Sequence, residues 1–238
     1  MEDFSPFLVK YTIIRSRRRT TSIILDKKGK VTVRAPLRLK ESIIKKFVNE
    51  KSPWIRKKQR EQRQNPPQQR KMFINGEQFL YLGQHYRLKV IATKRTKTTS
   101  LNLKNGQFIL KLPAKITKKE KIQEARKLFK NWYGTVGQPR IKTKVAKYSQ
   151  KLHAEANIIR IKDVKSIWGS CSPQKNLTFS YKLIMTPKKI IDHIVIHEVC
   201  HLKVGGHGKK FWKLVESLDP NYKSHKKWLK DNQGKLII

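Results

Sequence analysis

Acidic residues are scarce in this chain of 238 residues. There are 16 Asp+Glu against 56 Lys+Arg, a formal net charge of +40. No carboxylate-rich magnesium site can be assembled from so few acids in the pattern found. The excess of cations points to polyanionic contacts such as nucleic acid, nucleotides or acidic surfaces. The basic residues are spread along the chain, as they also are on a lysine-biased, solvated surface. Cysteine is nearly absent. Cys171 and Cys200 are the only two, which excludes a disulfide framework and a cysteine zinc cluster. Long apolar runs are missing as well. None approaches the roughly 18–20 residues of a membrane span. Met1-Glu2-Asp3-Phe4 has neither the basic nor the apolar region of a signal peptide. The expected setting is the reducing cytoplasm, away from membranes. The hydrophobic fraction is only 37%, yet the apolar residues fall in periodic clusters, so the chain reads as folded.

These clusters predict an α+β protein in two parts. Residues 1–115 read as a β-rich, antiparallel region with a helical insertion. Val9–Arg15, Thr20–Leu25 and Lys30–Ala35 alternate as strands, with Asp26-Lys27-Lys28-Gly29 as a turn, and suggest an antiparallel meander. Ile43, Ile44, Phe47 and Val48 form a helical stripe, and Ser52-Pro53 suggests the start of a second helix at Trp54, a packing residue. Gln62–Gln69, containing Asn65-Pro66-Pro67, reads as a linker. Further strands follow at Phe79–Leu82, Tyr86–Ile91, Leu101–Leu103 and Phe108–Leu110. Asn105-Gly106 is a strong hairpin signal. No repeat of fixed period is visible.

Residues 116–238 read as a zincin-like domain. Thr117 and Glu120 make a capping box. The helical stripe that follows is interrupted at Gly137-Gln138-Pro139 and resumes through Ile141, Val145 and Tyr148. Ile158–Ile161 and Leu177–Leu183 read as strands, the latter as a substrate-binding edge. Pro187 then opens a long helix.

That helix carries Ile194-Val195-Ile196-His197-Glu198-Val199-Cys200-His201. His197 and His201 stand four residues apart, so their imidazoles project from one helix face and can share an ion. Glu198 adjoins the first ligand and is placed to act on a water. A continuous helix would carry position 207 away from the metal, because six residues turn it through about 240° net. Gly205-Gly206 can reverse the chain and return His207 as a third ligand. Three protein ligands with one open position is the catalytic form of a zinc site. His193, one turn before His197, and Glu216 are the other candidates, and the glycine turn ranks His207 above them. Cys200 reads as buried and inert. Tyr181, Tyr222 and His225 are weak candidates for stabilising an oxyanion.

Groups of residues in both halves of the chain resemble the YgjP-like zinc metallopeptidases, relatives of SprT-like and WLM-type proteases. The C-terminal matches are Trp168-Gly169-Ser170-Cys171-Ser172, Leu177–Pro187, and His197–Leu202 with His207 and Phe211-Trp212. The N-terminal matches are Ile14–Arg19, Val31–Pro36 and Tyr81-Leu82-Gly83. The resemblance implies zinc on His197, His201 and His207, with Glu198 as the catalytic residue. Ile167 departs from the family, which usually has Arg there. The expected function is a zinc-dependent peptidase acting on a peptide or protein. A metal-dependent nucleoside triphosphate pyrophosphatase and a protease acting on nucleic-acid-bound proteins are the alternatives.

Overall fold

The computed structural model describes residues 9–26, 29–64, 71–93, 99–164 and 166–238. The chain forms two compact units, Met1–Gln68 and Gln69–Ile238. The proline-containing part of the expected linker, 65–69, lies outside the described residues, as do 27 and 28 of the Asp26–Gly29 turn.

The first unit holds β1 (Tyr11–Ser16), β2 (Ser22–Leu25), β3 (Val31–Pro36) and α1 (Glu41–Gln64). The strand order is β1-β3-β2, with β3 parallel to β1 and antiparallel to β2. This corrects the expected meander. Val31, Val33 and Ala35 of β3 are fully buried, and a strand with a fully buried face takes the centre, leaving the others as edges. α1 is one continuous helix with Pro53 inside it, which corrects the expected break at Trp54. Proline removes one backbone hydrogen bond. Ile44, Val48 and Ile55 nevertheless stay buried on one face across it and share a core with β3. Trp54 is 45% exposed, so Ile55, and not Trp54, does the packing. Arg15 donates through Nη1 to the carbonyls of Pro36, Leu37 and Leu39, tying the end of β1 to the loop before α1.

The second unit opens with β4 (Gln78–Tyr81), β5 (Gln84–Thr93), β6 (Ser100–Lys104) and β7 (Gln107–Pro113), in the order β4-β5-β7-β6. Asn105 and Gly106 both have positive φ, as the two-residue turn between β6 and β7 requires. α2 (Lys118–Lys151) begins with the expected Thr117–Glu120 capping box. It runs unbroken through Pro139, where an interruption was expected. Its buried stripe Phe129–Tyr133–Ile141–Val145 spans the proline and holds both halves on one core. Phe129 stacks on Phe79 at 4.1 Å between ring centroids, so β4–β7 and α2 share that core.

The chain then forms β8 (Ile159–Lys162), β9 (Gly169–Cys171) and β10 (Leu177–Ser180). A 3-10 turn at Tyr181–Met185 leads to α3 (Lys188–Cys200), α4 (Lys209–Leu218) and α5 (Tyr222–Asn232). The third sheet has the order β8-β10-β9, with β10 parallel to β8 and antiparallel to β9. The same design therefore occurs three times. In each, the last of three successive strands sits between the other two, parallel to the first and antiparallel to the second, and a helix follows; the second copy has β4 added at the edge beside β5. Pro36 and Pro113 close the central strand of the first two copies, each five residues before its helix starts. The third copy is spaced differently, so no fixed period shows in the sequence.

α3 is placed by α2 and the 3-10 turn. Lys144 pairs with Asp192 at 2.6 Å, and Tyr148 donates to the same carboxylate oxygen at 3.1 Å. At Gly137 a Cβ would stand 2.6 Å from Ile184, so only glycine lets α2 approach the 3-10 turn this closely.

Candidate metal centre

α3 is a buried helix. Ile190, Ile191, Ile194, Val195, Ile196, Val199 and Cys200 all face the core. Its last residue is Cys200, with His201 as the C-cap, so the helix ends before the two glycines. The turn that follows is held by Val204 N–H donating to the Cys200 carbonyl at 3.0 Å. Gly206 then adopts φ +68°, which reverses the chain and brings His207 back. A side chain at Gly206 would be strained in that conformation.

The structure brings His197, His201 and His207 together. The Nε2 of His207 lies 3.1 Å from the Nε2 of His201 and 3.1 Å from that of His197. His201 Nδ1 is 3.2 Å from the carbonyl of Val204. With Nδ1–H donated there, its Nε2 offers a lone pair. Hydrogen bonding cannot satisfy such a meeting fully, because one imidazole N–H can serve only one of its two neighbours. Ligand nitrogens held tetrahedrally about 2.0–2.1 Å from a zinc ion stand roughly 3.3 Å apart. The three nitrogens fit one divalent ion.

Phe211, fully buried, forms the floor. Its ring centroid is 4.9, 4.3 and 4.8 Å from those of His197, His201 and His207. Trp212 borders the site, 5.8 Å from His197 and 5.9 Å from His207. His207 itself is exposed, so the site opens to solvent. Burial pulls the pKa of His197 down to about 3, with His201 and His207 adding to it. Burial also lowers that of His201. Both imidazoles are thereby kept neutral, the form that ligates metal.

Glu198 is 4% exposed, and burial pushes its carboxyl up to about 8. Gly169 on β9 lies directly against it. A Cβ at Gly169 would stand 2.6 Å from Glu198 Oε1. The Trp168-Gly169-Ser170-Cys171 segment was legible as a motif, but the need for glycine there was not. Cys171 lies close by. Its thiol is raised by burial, and secondly by Glu198. Cys200 is fully buried and raised to about 12 by burial, too high for it to be a thiolate near neutral pH.

The other candidates lie elsewhere. His193 faces away into a second cluster. Its Nδ1 is 2.8 Å from Asp219 Oδ2, and His225 Nδ1 is 3.0 Å from the same oxygen. Glu216 belongs to neither histidine cluster found among the described residues. Tyr181 is buried and stacked on Tyr133 at 6.3 Å. Tyr222 stacks on Trp212 at 5.3 Å. The expected substrate strand also needs correction. β10 ends at Ser180 and is paired on both sides by β8 and β9, so its hydrogen bonds are spent. The strand that is both an edge of this sheet and in contact with Glu198 is β9.

The family model described as YgjP-like, metallopeptidase domain, matches residues 19–232 of the chain. No curated protein and no solved structure matches it.

Proposed function

We propose that this chain, which belongs to the YgjP-like metallopeptidase family, is a zinc-dependent peptidase with Glu198 as its general base. The observation that carries the reading is the meeting of three imidazoles, with His207 Nε2 3.1 Å from the Nε2 of both His197 and His201, next to a buried glutamate. The donor set favours zinc. Three neutral nitrogens suit it, whereas magnesium and calcium take oxygen ligands. His197, His201 and His207 hold the ion. When bound, zinc polarises the scissile carbonyl and lowers the pKa of a water towards about 7.

The remaining chemistry belongs to the chain. Glu198 takes a proton from the attacking water and delivers it to the leaving amine nitrogen. Burial raises its carboxyl above the usual carboxylate range, which favours its taking up the proton. Gly169 makes room for that carboxylate, which a side chain there would displace. The free edge of β9 offers backbone groups to an extended peptide, in the manner of strand addition. The exposure of His207 suits a polymer passing across the site better than a small molecule enclosed in it. We place the protein in the cytoplasm, where Cys171 and Cys200, both free, remain reduced. No described helix is long and apolar enough to cross a membrane.

The test is Glu198→Gln in the zinc-loaded protein, assayed on a mixed peptide library. Hydrolysis falls by at least about 100-fold while zinc content is unchanged. Full activity in the variant overturns the general-base assignment.

A further inference from the structure

Beside the three histidines stands an aromatic and cationic wall. Trp212 and Tyr222 stack at 5.3 Å with their planes 20° apart. The ammonium of Lys226 sits 4.7 Å above the Trp212 ring, and that of Lys223 sits 5.7 Å from the Tyr222 centroid. Trp212 in turn borders His197 and His207. Among the described residues no carboxylate comes within ion-pair distance of it. The acids nearest along the chain are Asp231 and Asp219; Asp231 makes no ion pair with Lys226, and Asp219 gives one oxygen to two imidazoles. Lysines elsewhere, such as Lys130 and Lys144, are paired with Asp163 and Asp192 at 2.6 Å. The segment from Lys203 to Lys230 carries eight lysines against two acids, Glu216 and Asp219.

We propose that Lys226, seated on Trp212, selects peptides with an acidic residue near the scissile bond. The proposal rests on the peptidase reading and names the substrate class of that site. A cation on an aromatic face keeps its outer hydrogens free. It can therefore meet a substrate carboxylate without first breaking an ion pair. The ring beneath excludes water from one side and strengthens the contact relative to a fully solvated pair. Tyr222 extends the same apolar surface for the neighbouring substrate side chain. A lysine or arginine on the substrate meets like charge here.

The test uses paired fluorogenic peptides, identical except for Glu or Lys at each of three positions on either side of the cleaved bond. Wild-type protein loaded with zinc is expected to prefer Glu at one or more positions by roughly three- to tenfold in kcat/KM. Lys226→Met brings that ratio towards one, and Lys226→Glu inverts it, with zinc content unchanged. Lys119→Glu, an exposed site on the first turn of α2, makes the same change in net charge and leaves the ratio intact. Equal cleavage of both peptides by wild type overturns this inference alone, as does a preference that survives Lys226→Glu or shifts equally with Lys119→Glu. If the zinc-loaded protein cleaves no peptide of the series, the peptidase reading fails and takes this inference with it.

Discussion

Two histidine clusters lie one helical turn apart on α3, and they are built on opposite principles. In the first, His197, His201 and His207 bring nitrogen to nitrogen at 3.1 Å. In the second, His193 and His225 each bring Nδ1 to one carboxylate oxygen of Asp219, at 2.8 and 3.0 Å. Protons complete the second arrangement, since two N–H groups can donate to one oxygen. They leave the first incomplete, and under the proposed function a cation completes it. The identity of the residues does not separate the roles; the atoms that meet do. The second cluster joins α3, through His193, to the start of α5, through His225, and so helps hold the helix that carries the ligands. On this account the first cluster governs chemistry and the second governs stability.

Gly169→Ala tests that separation with the largest effect. A methyl group at 2.6 Å from Glu198 Oε1 must displace the carboxylate. Misplacement of a catalytic group by about 1 Å can cost about 100-fold in rate. Steady-state kinetics should show kcat reduced about 10- to 100-fold, with zinc content near that of wild type. A variant with wild-type kcat contradicts the close packing of Gly169 on a catalytic Glu198.

The smaller effect is Asp219→Asn. The substitution removes the charge that receives the N–H groups of buried His193 and half-buried His225 but keeps one acceptor oxygen. Loss of charge-assisted hydrogen bonds of this kind costs about 1–3 kcal/mol, which at this chain length lowers Tm by about 2–4 °C per kcal/mol. Calorimetry of the metal-free protein should show that drop, while zinc stoichiometry stays the same. A loss of zinc with unchanged metal-free stability would erase the distinction between the clusters.

Legibility in the sequence followed the distance between partners. His197, His201 and His207 fall within a short stretch of chain, and the glycines that return His207 lie between them. The pattern was therefore complete in sequence. The Thr117–Glu120 cap and the Asn105-Gly106 turn were legible for the same reason, since local hydrogen bonding and backbone sign decide them. Contacts made across the fold were not. Gly169 meets Glu198 from another element, and His193 finds Asp219 and His225 from two later ones. Strand order was likewise hidden. Alternation marks β10 as a strand but does not say whether its edges are free, and here both are occupied. At Pro53 and Pro139 the local preference for a break was overridden by apolar stripes that stay buried on both sides of each proline.

The most direct measurement is metal content by mass spectrometry after zinc loading and desalting, on wild type, His207→Ala and Asp219→Asn. The account predicts one zinc per chain in wild type and in Asp219→Asn, and a clear loss in His207→Ala. No zinc in wild type, or zinc retained in His207→Ala and lost in Asp219→Asn, would contradict it.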